Sequence, residues 1–429
     1  MGYALSAKRN IILRSGDRVN NYPVTKPYFD GEELLLISEA MDSGWVAQGP
    51  KVAAFEKKVA AHEGVAEGVA TTSCTTALHL SMVAQGLKEG MDAIAPAFTF
   101  VATENAIIMT GATPVMVDID RETFNMDVNA LQETIEKQYI FKEGRLYNRK
   151  SNNILWGIVP VHEFGLCCDI FSINKLAGKY GLQVIEDAAC ALGAKIGEKH
   201  QGTFGNTSCI SFHPRKSITT GEGGMVLTDN MSLAKKMREM RTHGSTVSAD
   251  TRDKAHGFLL PEFPEAGFNY RMTDIQGAMG LAQIKKLDYI IAEKRKCAAR
   301  YNDLIEKVLP EFIVPVEPEG YFHTYQSYVC MLDEKCLKFA SIEDGGNYRN
   351  SLLERLEKVG IATRQGTHAV HTLGYYKNKF GYMPEDYGNA YACDRLSITL
   401  PLYVGMTEGD QVYIVKTIRE MMDNMGKVK

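Results

Sequence analysis

The stretch SCISFHPRKSITTGEGGMVLTD, from Ser208 to Asp229, contains two apolar runs separated by a polar, glycine-rich segment. We interpret the runs CISFH and GMVLTD as strands. Lys216 follows the end of the first strand, where ligands of open α/β sheets bind. A lysine at this place can form a Schiff base with an aldehyde cofactor. The alternative is an exposed loop lysine beside a hairpin turn, and the spacing of this stretch alone favours that alternative.

A pair of carboxylates ends another apolar strand upstream. In VIEDAACALGA, Glu186 and Asp187 close the run. A buried carboxylate is costly unless its charge is paired. A protonated pyridine nitrogen is a suitable partner, because the ion pair keeps the ring able to withdraw electrons. An Asp that caps the following helix explains the position equally well.

Two further segments have features of a cofactor site. In TTSCTTALHLSM, Ser73, Thr75 and Thr76 precede an amphipathic helix, whose free N–H groups would bind a phosphate. Ordinary Ser/Thr capping is the alternative. In PAFTFVATENA, Phe98 or Phe100 is a candidate to stack on a planar ring. A core aromatic side chain is the alternative.

Short, nearly continuous apolar runs alternate with helical patterns between about residues 30 and 280. Such runs are typical of strands that are buried on both faces of a mostly parallel sheet. The predicted strands are Ala93–Ala97, Thr113–Ile119, Ile154–Val161, Leu182–Ala188, Cys209–His213 and Gly224–Asp229. All four candidate features fall at strand–helix junctions of this sheet, so they predict one cofactor-binding face.

The length of 429 residues favours two or three domains. We predict a large α/β domain over residues 24–284 and a smaller α+β domain over residues 285–429. The helical pattern QIKKLDYIIAEKRKCAARYNDLIEKVL, residues 283–309, connects them. The polar residues 138–153 interrupt the alternation, and we interpret them as a surface insertion.

Composition argues against several classes of function. The formal net charge is -4 and Lys and Arg are not clustered, which argues against a nucleic-acid-binding surface. The nine cysteines include no CxxC pair, so we expect no metal. Their irregular spacing fits a reducing compartment. We predict a cytoplasmic protein without a membrane segment, since the sequence has no signal-like N-terminus and no apolar run of about 20 residues.

The sequence also resembles the DegT/DnrJ/StrS family of sugar aminotransferases from about Pro27 to the C-terminus. The motifs that carry the resemblance are SGWVAQGPKVAAFE (43–56), PAFTFVAT (96–103), PVHEFG (160–165), EDAACALGA (186–194), SFHPRKSITTGEGG (211–224), RTHG (241–244) and GFNYRMTDIQGAMG (267–280). The resemblance implies the aspartate-aminotransferase fold, fold type I. This fold has a three-layer large domain with a mostly parallel seven-stranded sheet and a smaller C-terminal α+β domain. It also implies pyridoxal 5′-phosphate as the cofactor.

The resemblance assigns the groups around the cofactor ring. Lys216 matches the Schiff-base lysine, and Asp187 matches the partner of the pyridine nitrogen. Phe100 matches the stacking aromatic side chain. Cys190 occupies a position near the phenolic oxygen where the family commonly has His or Gln. We expect burial beside the cationic cofactor to lower the pKa of Lys216.

The resemblance also assigns the phosphate and substrate sides. Thr75, Thr76 and Ser211 match phosphate ligands. Asn269 matches an asparagine that reaches the phosphate of the neighbouring subunit, which implies a homodimer with shared active sites. The residues assigned to the substrate side are His213, His323 and His371.

These assignments predict transfer of an amino group from glutamate or glutamine to a keto sugar. We expect a nucleotide-linked sugar, in amino-sugar biosynthesis for a surface polysaccharide or a secondary metabolite. A keto sugar acid or an inosose is the alternative acceptor. A related sugar dehydratase ranks lower, because that branch of the family replaces the lysine with histidine. A non-enzymatic cofactor-binding regulator also ranks lower, because the sequence has no helix-turn-helix extension and no basic face.

Overall fold

A computed structural model describes residues 21–247 and 260–425. The first elements are α1 (Glu32–Asp42), α2 (Pro50–Glu63), β1 (Glu67–Thr71), α3 (Cys74–Ala84), β2 (Met91–Pro96), β3 (Phe98–Thr99), α4 (Ala102–Met109), β4 (Thr113–Val117) and α5 (Val128–Gln138). The chain continues with β5 (Tyr139–Lys142), β6 (Arg145–Asn148), β7 (Ile154–Ile158), α6 (Ile170–Tyr180), β8 (Gln183–Asp187), β9 (Lys195–Ile196), β10 (Lys199–His200), β11 (Thr207–Ser211), β12 (Gly224–Thr228) and α7 (Met231–Arg241).

After residue 260 the elements are α8 (Asp274–Ile284), α9 (Leu287–Val308), β13 (Phe312–Ile313), β14 (Tyr321–Phe322), β15 (Tyr328–Leu332), α10 (Glu334–Leu337), α11 (Ile342–Lys358), β16 (His368–Ala369), α12 (Gly374–Phe380), α13 (Gly388–Leu396), β17 (Ser397–Leu400) and α14 (Glu408–Met425). Within the described ranges, no helix combines the length and the apolar character needed to cross a bilayer.

The central sheet has the strand order β1–β12–β11–β8–β7–β2–β4. Neighbouring strands from β11 to β4 are parallel, whereas β12 is antiparallel to both of its neighbours. The predicted mostly parallel sheet of seven strands is therefore confirmed. Six of these strands match the predicted runs, and β1 was missed because its sequence, EGVAT, is short and begins with Glu and Gly, which are poor strand formers.

The two faces of the sheet are covered by different helices, because successive side chains of a strand point to opposite sides. Val69 and Cys209 belong to a core that includes residues of α3, α4 and α7. Their chain neighbours Ala70 and Ile210 belong to a core that includes residues of α2, α8 and α9. The large part of the molecule thus has the predicted three layers of helix, sheet and helix.

The C-terminal part has its own antiparallel sheet of order β13–β15–β17, packed with α9, α11, α13 and α14 in one core. That core also includes Phe98 and Phe164, which follow strands of the central sheet. The short strand β16 pairs with β3. This contact places the C-terminal segments against the carboxyl edge of the central sheet. The boundary at residues 284/285 stays a prediction.

Two details differ from the expectations. The predicted helix over residues 283–309 is two helices, since α8 ends at Ile284 and α9 begins at Leu287. Residues 138–153 are not a mere insertion, because they form the β5–β6 hairpin, which pairs with β7 and extends the sheet. The hairpin is fixed by the buried carboxylate of Asp92, which accepts hydrogen bonds from Tyr139 Oη and Asn148 Nδ2, both at 2.8 Å.

The packing of α8 on α2 yields a test of the fold. A Cβ atom at Gly277 would lie 2.7 Å from the backbone nitrogen of Val52. We predict that Gly277→Ala lowers the free energy of unfolding by about 1–3 kcal/mol, because the two helix backbones have to separate. The control is Gly178→Ala in α6, where no atom lies within 4 Å, and we expect it to raise stability by about 0.5–1 kcal/mol. Denaturant unfolding compares both variants, and equal gains in stability would show that α2 and α8 are not in this contact.

Candidate active site

A cavity of about 840 Å³ lies at the carboxyl edge of the central sheet. Strands β1, β8 and β11 run in the same direction, so the segments that follow them meet at this edge. Ser73, Asp187 and Ser211 therefore line one cavity, together with Lys216. Residues 363–368 and part of α11 form other walls of this cavity.

Lys216 lies in the loop after β11, where its backbone N–H donates to the carbonyl of His213 at 2.8 Å. Its Nζ donates to Cys190 Sγ at 2.9 Å. Burial on its own would lower the pKa of Lys216, but interactions with Cys190, Cys74 and Asp187 outweigh it and raise the pKa above its usual value. The neighbouring side chains thus raise the pKa of Lys216, whereas we expected burial beside the cationic cofactor to lower it. The lysine is directed into the cavity and is not an exposed loop residue.

The two carboxylates at the end of β8 have different surroundings. Glu186 is fully buried, and its oxygens accept hydrogen bonds from His162 Nε2 at 2.9 Å and from the backbone N–H groups of Gly202, Phe204 and Gly205. It therefore holds the loop that precedes β11. Asp187 faces the cavity instead, because the next residue of a strand points to the opposite side.

Asp187 is 4% exposed, and burial raises its pKa. Thr103 Oγ1 donates to its Oδ2 at 2.7 Å, and the backbone N–H of Ala189 donates to its Oδ1 at 3.1 Å. The residues that follow form turns and not a helix, so the alternative of a helix cap does not hold. A buried carboxylate that faces a cavity is suited to a cationic ring nitrogen.

The N-terminus of α3 forms the floor of the cavity at Ser73, Cys74 and Thr75. The first N–H groups of a helix have no partner inside the helix and attract anions. Gly224 lies so close that a Cβ atom there would be 2.3 Å from the carbonyl carbon of Ser73. Thr76 is not at the cavity, because its hydroxyl is bonded to Ser73 in a capping box. Its predicted role as a phosphate ligand is therefore not supported by its position.

These groups fit the expected cofactor. The cavity has a buried acid for a ring nitrogen, a lysine amine, and a helix N-terminus beside Ser211 for a phosphate. Phe100 lines the same cavity with 54% of its surface exposed, so it is available for stacking and is not a core residue. Phe98, the other candidate, is fully buried in the core.

A second acidic group lies beside Asp187. Glu163 lines the cavity and is 4% exposed; burial and the charge of Asp187 raise its pKa to about 8. Glu104 is fully buried, and neither of its carboxylate oxygens has a hydrogen-bond partner within the described chain. Burial raises the pKa of Glu104 well above its usual value. Glu163, with a pKa of about 8, is therefore mostly protonated near pH 7, and the raised pKa of Glu104 favours its neutral form in the same direction.

The wall opposite the sheet carries positive charge. Arg215 is exposed, Arg364 is half-buried, and both line the cavity together with His213. Burial and the nearby Arg215 lower the pKa of Arg364. In the part of the chain that is described, neither guanidinium has a carboxylate within ion-pair distance. Two cations of this kind suit an anionic substrate group.

Besides Thr76, three predicted site residues lie outside this cavity. His323 is buried and stacked on Tyr325, whose backbone N–H donates to its Nδ1 at 3.0 Å. His371 is fully buried, and its Nε2 donates to the carbonyl of Pro384 at 3.2 Å. Both histidines have structural contacts, so the structure does not support their assignment to the substrate side. Asn269 is exposed and outside the cavity of its own chain, and its role across a subunit boundary stays a prediction.

Several cavity residues were not singled out from the sequence. Glu163 follows the predicted strand Ile154–Val161, and a carboxylate after a buried strand is the signal that identified Asp187. Gln326 and Arg349 come from the C-terminal part and carry no comparable signal. Lys294 is buried on α9 and donates to the carbonyl of Gln326 at 3.0 Å; burial lowers its pKa to about 8.

Comparison with known proteins agrees with this geometry. The model of a family described as the DegT/DnrJ/EryC1/StrS aminotransferase family matches residues 27–419. An uncharacterised protein of Methanocaldococcus jannaschii is 34% identical over 400 residues, 93% of this chain and 97% of that protein. The spore coat polysaccharide biosynthesis protein SpsC of Bacillus subtilis is 33% identical over 401 residues, with coverage of 93% and 97%. The structure of Helicobacter pylori PseC, an aminotransferase involved in the biosynthesis of pseudoaminic acid, has a TM-score of 0.80 at 25% identity, and the match covers 94% of this chain and 100% of that one.

The raised pKa of Glu163 predicts a pH-dependent stability. The folded state keeps this proton up to about pH 8, whereas an exposed glutamate loses it near pH 4.5, so the folded state binds more protons in this window. The contribution of Glu163 to stability therefore falls as pH rises from about 4.5 to 8. We predict that Glu163→Gln gains stability relative to the unmodified chain over this range, by at most about 3 kcal/mol at pH 7.

Thermal unfolding of both cofactor-free proteins at several pH values between 5 and 8.5 measures this difference. A difference in melting temperature that is independent of pH would mean that Glu163 is already ionised in the folded state. Glu122→Gln is the control, because this glutamate is exposed. The difference in melting temperature between this variant and the unmodified chain should not change with pH.

Proposed function

The chain belongs to the DegT/DnrJ/EryC1/StrS aminotransferase family, whose members depend on pyridoxal 5′-phosphate, and from this membership we propose that it aminates a nucleotide-linked keto sugar with glutamate or glutamine as the donor. The names of SpsC and PseC support a sugar acceptor and a place in polysaccharide or amino-sugar biosynthesis. The observation that carries the proposal is one cavity lined by Lys216, Asp187 and the N-terminus of α3.

The proposed cofactor contacts follow from this cavity. Asp187 would pair with the ring nitrogen, and Phe100 would be available to stack on the ring. The backbone N–H groups at Cys74 and Thr75, with Ser211, would hold the phosphate. Bound pyridoxal phosphate supplies an aldehyde that reacts with amines and a ring that withdraws electrons.

Lys216 is the proposed acid–base group. As a neutral amine, the form that the positive charge of the bound cofactor would favour, its Nζ would take the proton from the α-carbon of the donor amino acid and later return a proton to the carbon of the aminated sugar. One amine serves both half-reactions, so the donor product leaves before the acceptor binds and the kinetics are ping-pong. Cys190 Sγ is 2.9 Å from this amine and helps to position it.

Arg215 and Arg364 select the substrates in this proposal. Within the described residues, neither guanidinium forms an ion pair with a carboxylate. Two such cations in one partly buried cavity bind carboxylate or phosphate oxygens well. The donor carboxylate and a sugar-linked diphosphate are both suitable. A keto sugar acid, the alternative acceptor, also carries an anion, whereas an inosose does not. The charge of the cavity therefore favours an anionic acceptor over an uncharged one.

We also propose a homodimer in which Asn269 reaches the partner's phosphate site. Asn269 is exposed, so it is accessible to a second copy. The helix α1 presents the exposed apolar side chains Leu34, Leu35 and Met41, which such a contact would cover. The two active sites would then depend on both chains.

The two half-reactions test the proposal separately. Glutamate or glutamine is expected to change the visible absorbance of the bound cofactor, and the keto sugar acceptor is expected to restore it. Nucleotide-linked 3-keto and 4-keto sugars, 8-keto sugar acids and inososes are compared as acceptors. Lys216→Ala should abolish multiple turnover, while Lys235→Ala, at an exposed lysine of α7, should not change the rate. If no amino acid changes the absorbance, or if a deoxy sugar without an amino group is formed, the aminotransferase proposal fails.

The pairing of Asp187 predicts a graded set of variants. Asp187→Asn removes the charge and should lower the turnover rate by more than about 100-fold. Thr103→Ala removes the hydroxyl that donates to Asp187 Oδ2, so a loss of about tenfold is expected, and Thr103→Ser should restore most of it. Single-turnover rates and the cofactor content of each variant are measured together. Unchanged rates in Asp187→Asn would remove this residue from the mechanism.

A further inference from the structure

A second cavity, of about 370 Å³, shares no lining residue with the active site. Two histidines lie at it, His62 near the end of α2 and His200 at the end of β10. With Glu63 they form a cluster whose possible metal-ligating atoms all lie within 4.8 Å of one another. The cluster thus joins two segments that are far apart in the chain.

The centre of the cluster is the fully buried carboxylate of Glu63. Gln201 Nε2 donates to its Oε2 at 2.7 Å, and the backbone N–H of Gly193 lies 3.4 Å from the same oxygen. Its Oε1 is 2.7 Å from His62 Nδ1. These neutral donors fix the direction of the carboxylate, and its charge has to be balanced by the histidines or by a bound cation.

His62 is oriented from its other side. Its Nε2 is 3.0 Å from the carboxylate of Asp288, at the start of α9. In metal sites, the histidine ligand commonly donates its second ring N–H to a carboxylate, which fixes the tautomer and directs the free nitrogen at the metal. The contact with Asp288 orients the His62 ring so that Nδ1 faces Glu63. Without a metal both ring nitrogens donate to carboxylates, so a metal at Nδ1 would have to displace the proton there.

His200 supplies an unsatisfied nitrogen. Its Nδ1 is buried and has no hydrogen-bond partner within the described chain, although Glu63 Oε2 is only 3.6 Å away. The two imidazole rings are 5.4 Å apart and nearly perpendicular, at 83°. A buried nitrogen without a partner is costly, and a cation between it and the carboxylate would remove this cost.

We propose that His62 Nδ1, Glu63 and His200 Nδ1 bind a zinc ion, with Asp288 as the group that orients His62. Two imidazole nitrogens and one carboxylate oxygen favour zinc over calcium or magnesium, which prefer ligand sets made of oxygen atoms. In tetrahedral zinc sites, ligand atoms are about 3.3 Å apart, given bonds of about 2.0–2.2 Å. The separation of 3.6 Å between His200 Nδ1 and Glu63 Oε2 is close to this value, whereas His62 Nδ1 and Glu63 Oε1 are 2.7 Å apart and would have to separate by about 0.6 Å.

Of the three positive side chains at this cavity, two are paired with carboxylates, and the third, Lys195, has its Nζ 5.8 Å from the centre of the Phe322 ring. Arg295 makes two contacts with Glu317, at 2.9 and 3.0 Å, and Lys296 contacts Glu293 at 2.7 Å. The ion joins α2, the β9–β10 hairpin and, through Asp288, the start of α9. Its role is therefore to hold the central sheet and the long α9 helix together. We expected no metal from the sequence, because it has no CxxC pair. Ligands that come from separate segments leave no such local pattern.

Zinc titration of the holoenzyme after treatment with a chelator tests the proposal. We expect one zinc ion per chain by calorimetry, a rise in melting temperature with zinc, and a visible Co²⁺ spectrum typical of tetrahedral coordination. His200→Gln should lower the zinc affinity by more than about tenfold, because it removes a ligand. Asp288→Asn should lower it by about 10–100-fold, as expected for a group that orients a ligand.

Cys336→Ser is the matched control, because it removes a surface-exposed thiol that could bind zinc away from the cluster. It should bind zinc as the unmodified chain does. Circular dichroism and the cofactor absorbance show that each variant is folded. No binding of zinc, or equal binding in His200→Gln and the unmodified chain, would overturn the proposal and leave a hydrogen-bonded cluster of histidine and carboxylate.

Discussion

The carboxylate of Asp187 lies at the end of β8 with almost no exposure to water, and the neighbouring groups are arranged around it. Thr103 and the backbone of Ala189 donate hydrogen bonds to it, while Lys216 interacts with it electrostatically. A buried charge of this kind is costly unless a cation balances it. In the proposed cofactor complex, the position of Asp187 would set where the cationic ring lies, and the lysine and the helix N-terminus line the same cavity.

Glu186 and Asp187 are adjacent in the sequence, but successive side chains of β8 point to opposite sides of the sheet, so the two carboxylates have different surroundings. Glu186 points away from the cavity, where His162 and three backbone N–H groups satisfy it. Asp187 points into the cavity. A shift of one residue in this strand would exchange the two carboxylates. The loop before β11 and the cofactor site therefore depend on the same register.

The parts of the site that follow from local patterns were predictable. Lys216, Asp187 and the start of α3 lie at ends of strands or helices, and the resemblance to a family assigned their roles. His323 and His371 are buried outside the cavity, and their burial could not be predicted because a histidine in the sequence carries no information about it. Both are buried and bonded within the protein. Glu163 was overlooked although it follows a strand, since its meaning depends on the nearby Asp187.

The cavity residues that come from the C-terminal part could not be predicted from local sequence patterns. Arg349, Arg364 and Gln326 reach the cavity because β16 pairs with β3 and the C-terminal core packs on Phe98 and Phe164. The β3–β16 pairing joins His368 with Thr99 and Ala369 with Phe98, which are far apart in the sequence, and no local spacing encodes it. The chemistry of amino transfer comes from the central sheet, which has recognisable motifs. In the proposed function, Arg364 of the C-terminal part acts together with Arg215 of the loop after β11, so acceptor selection would draw on both parts of the chain.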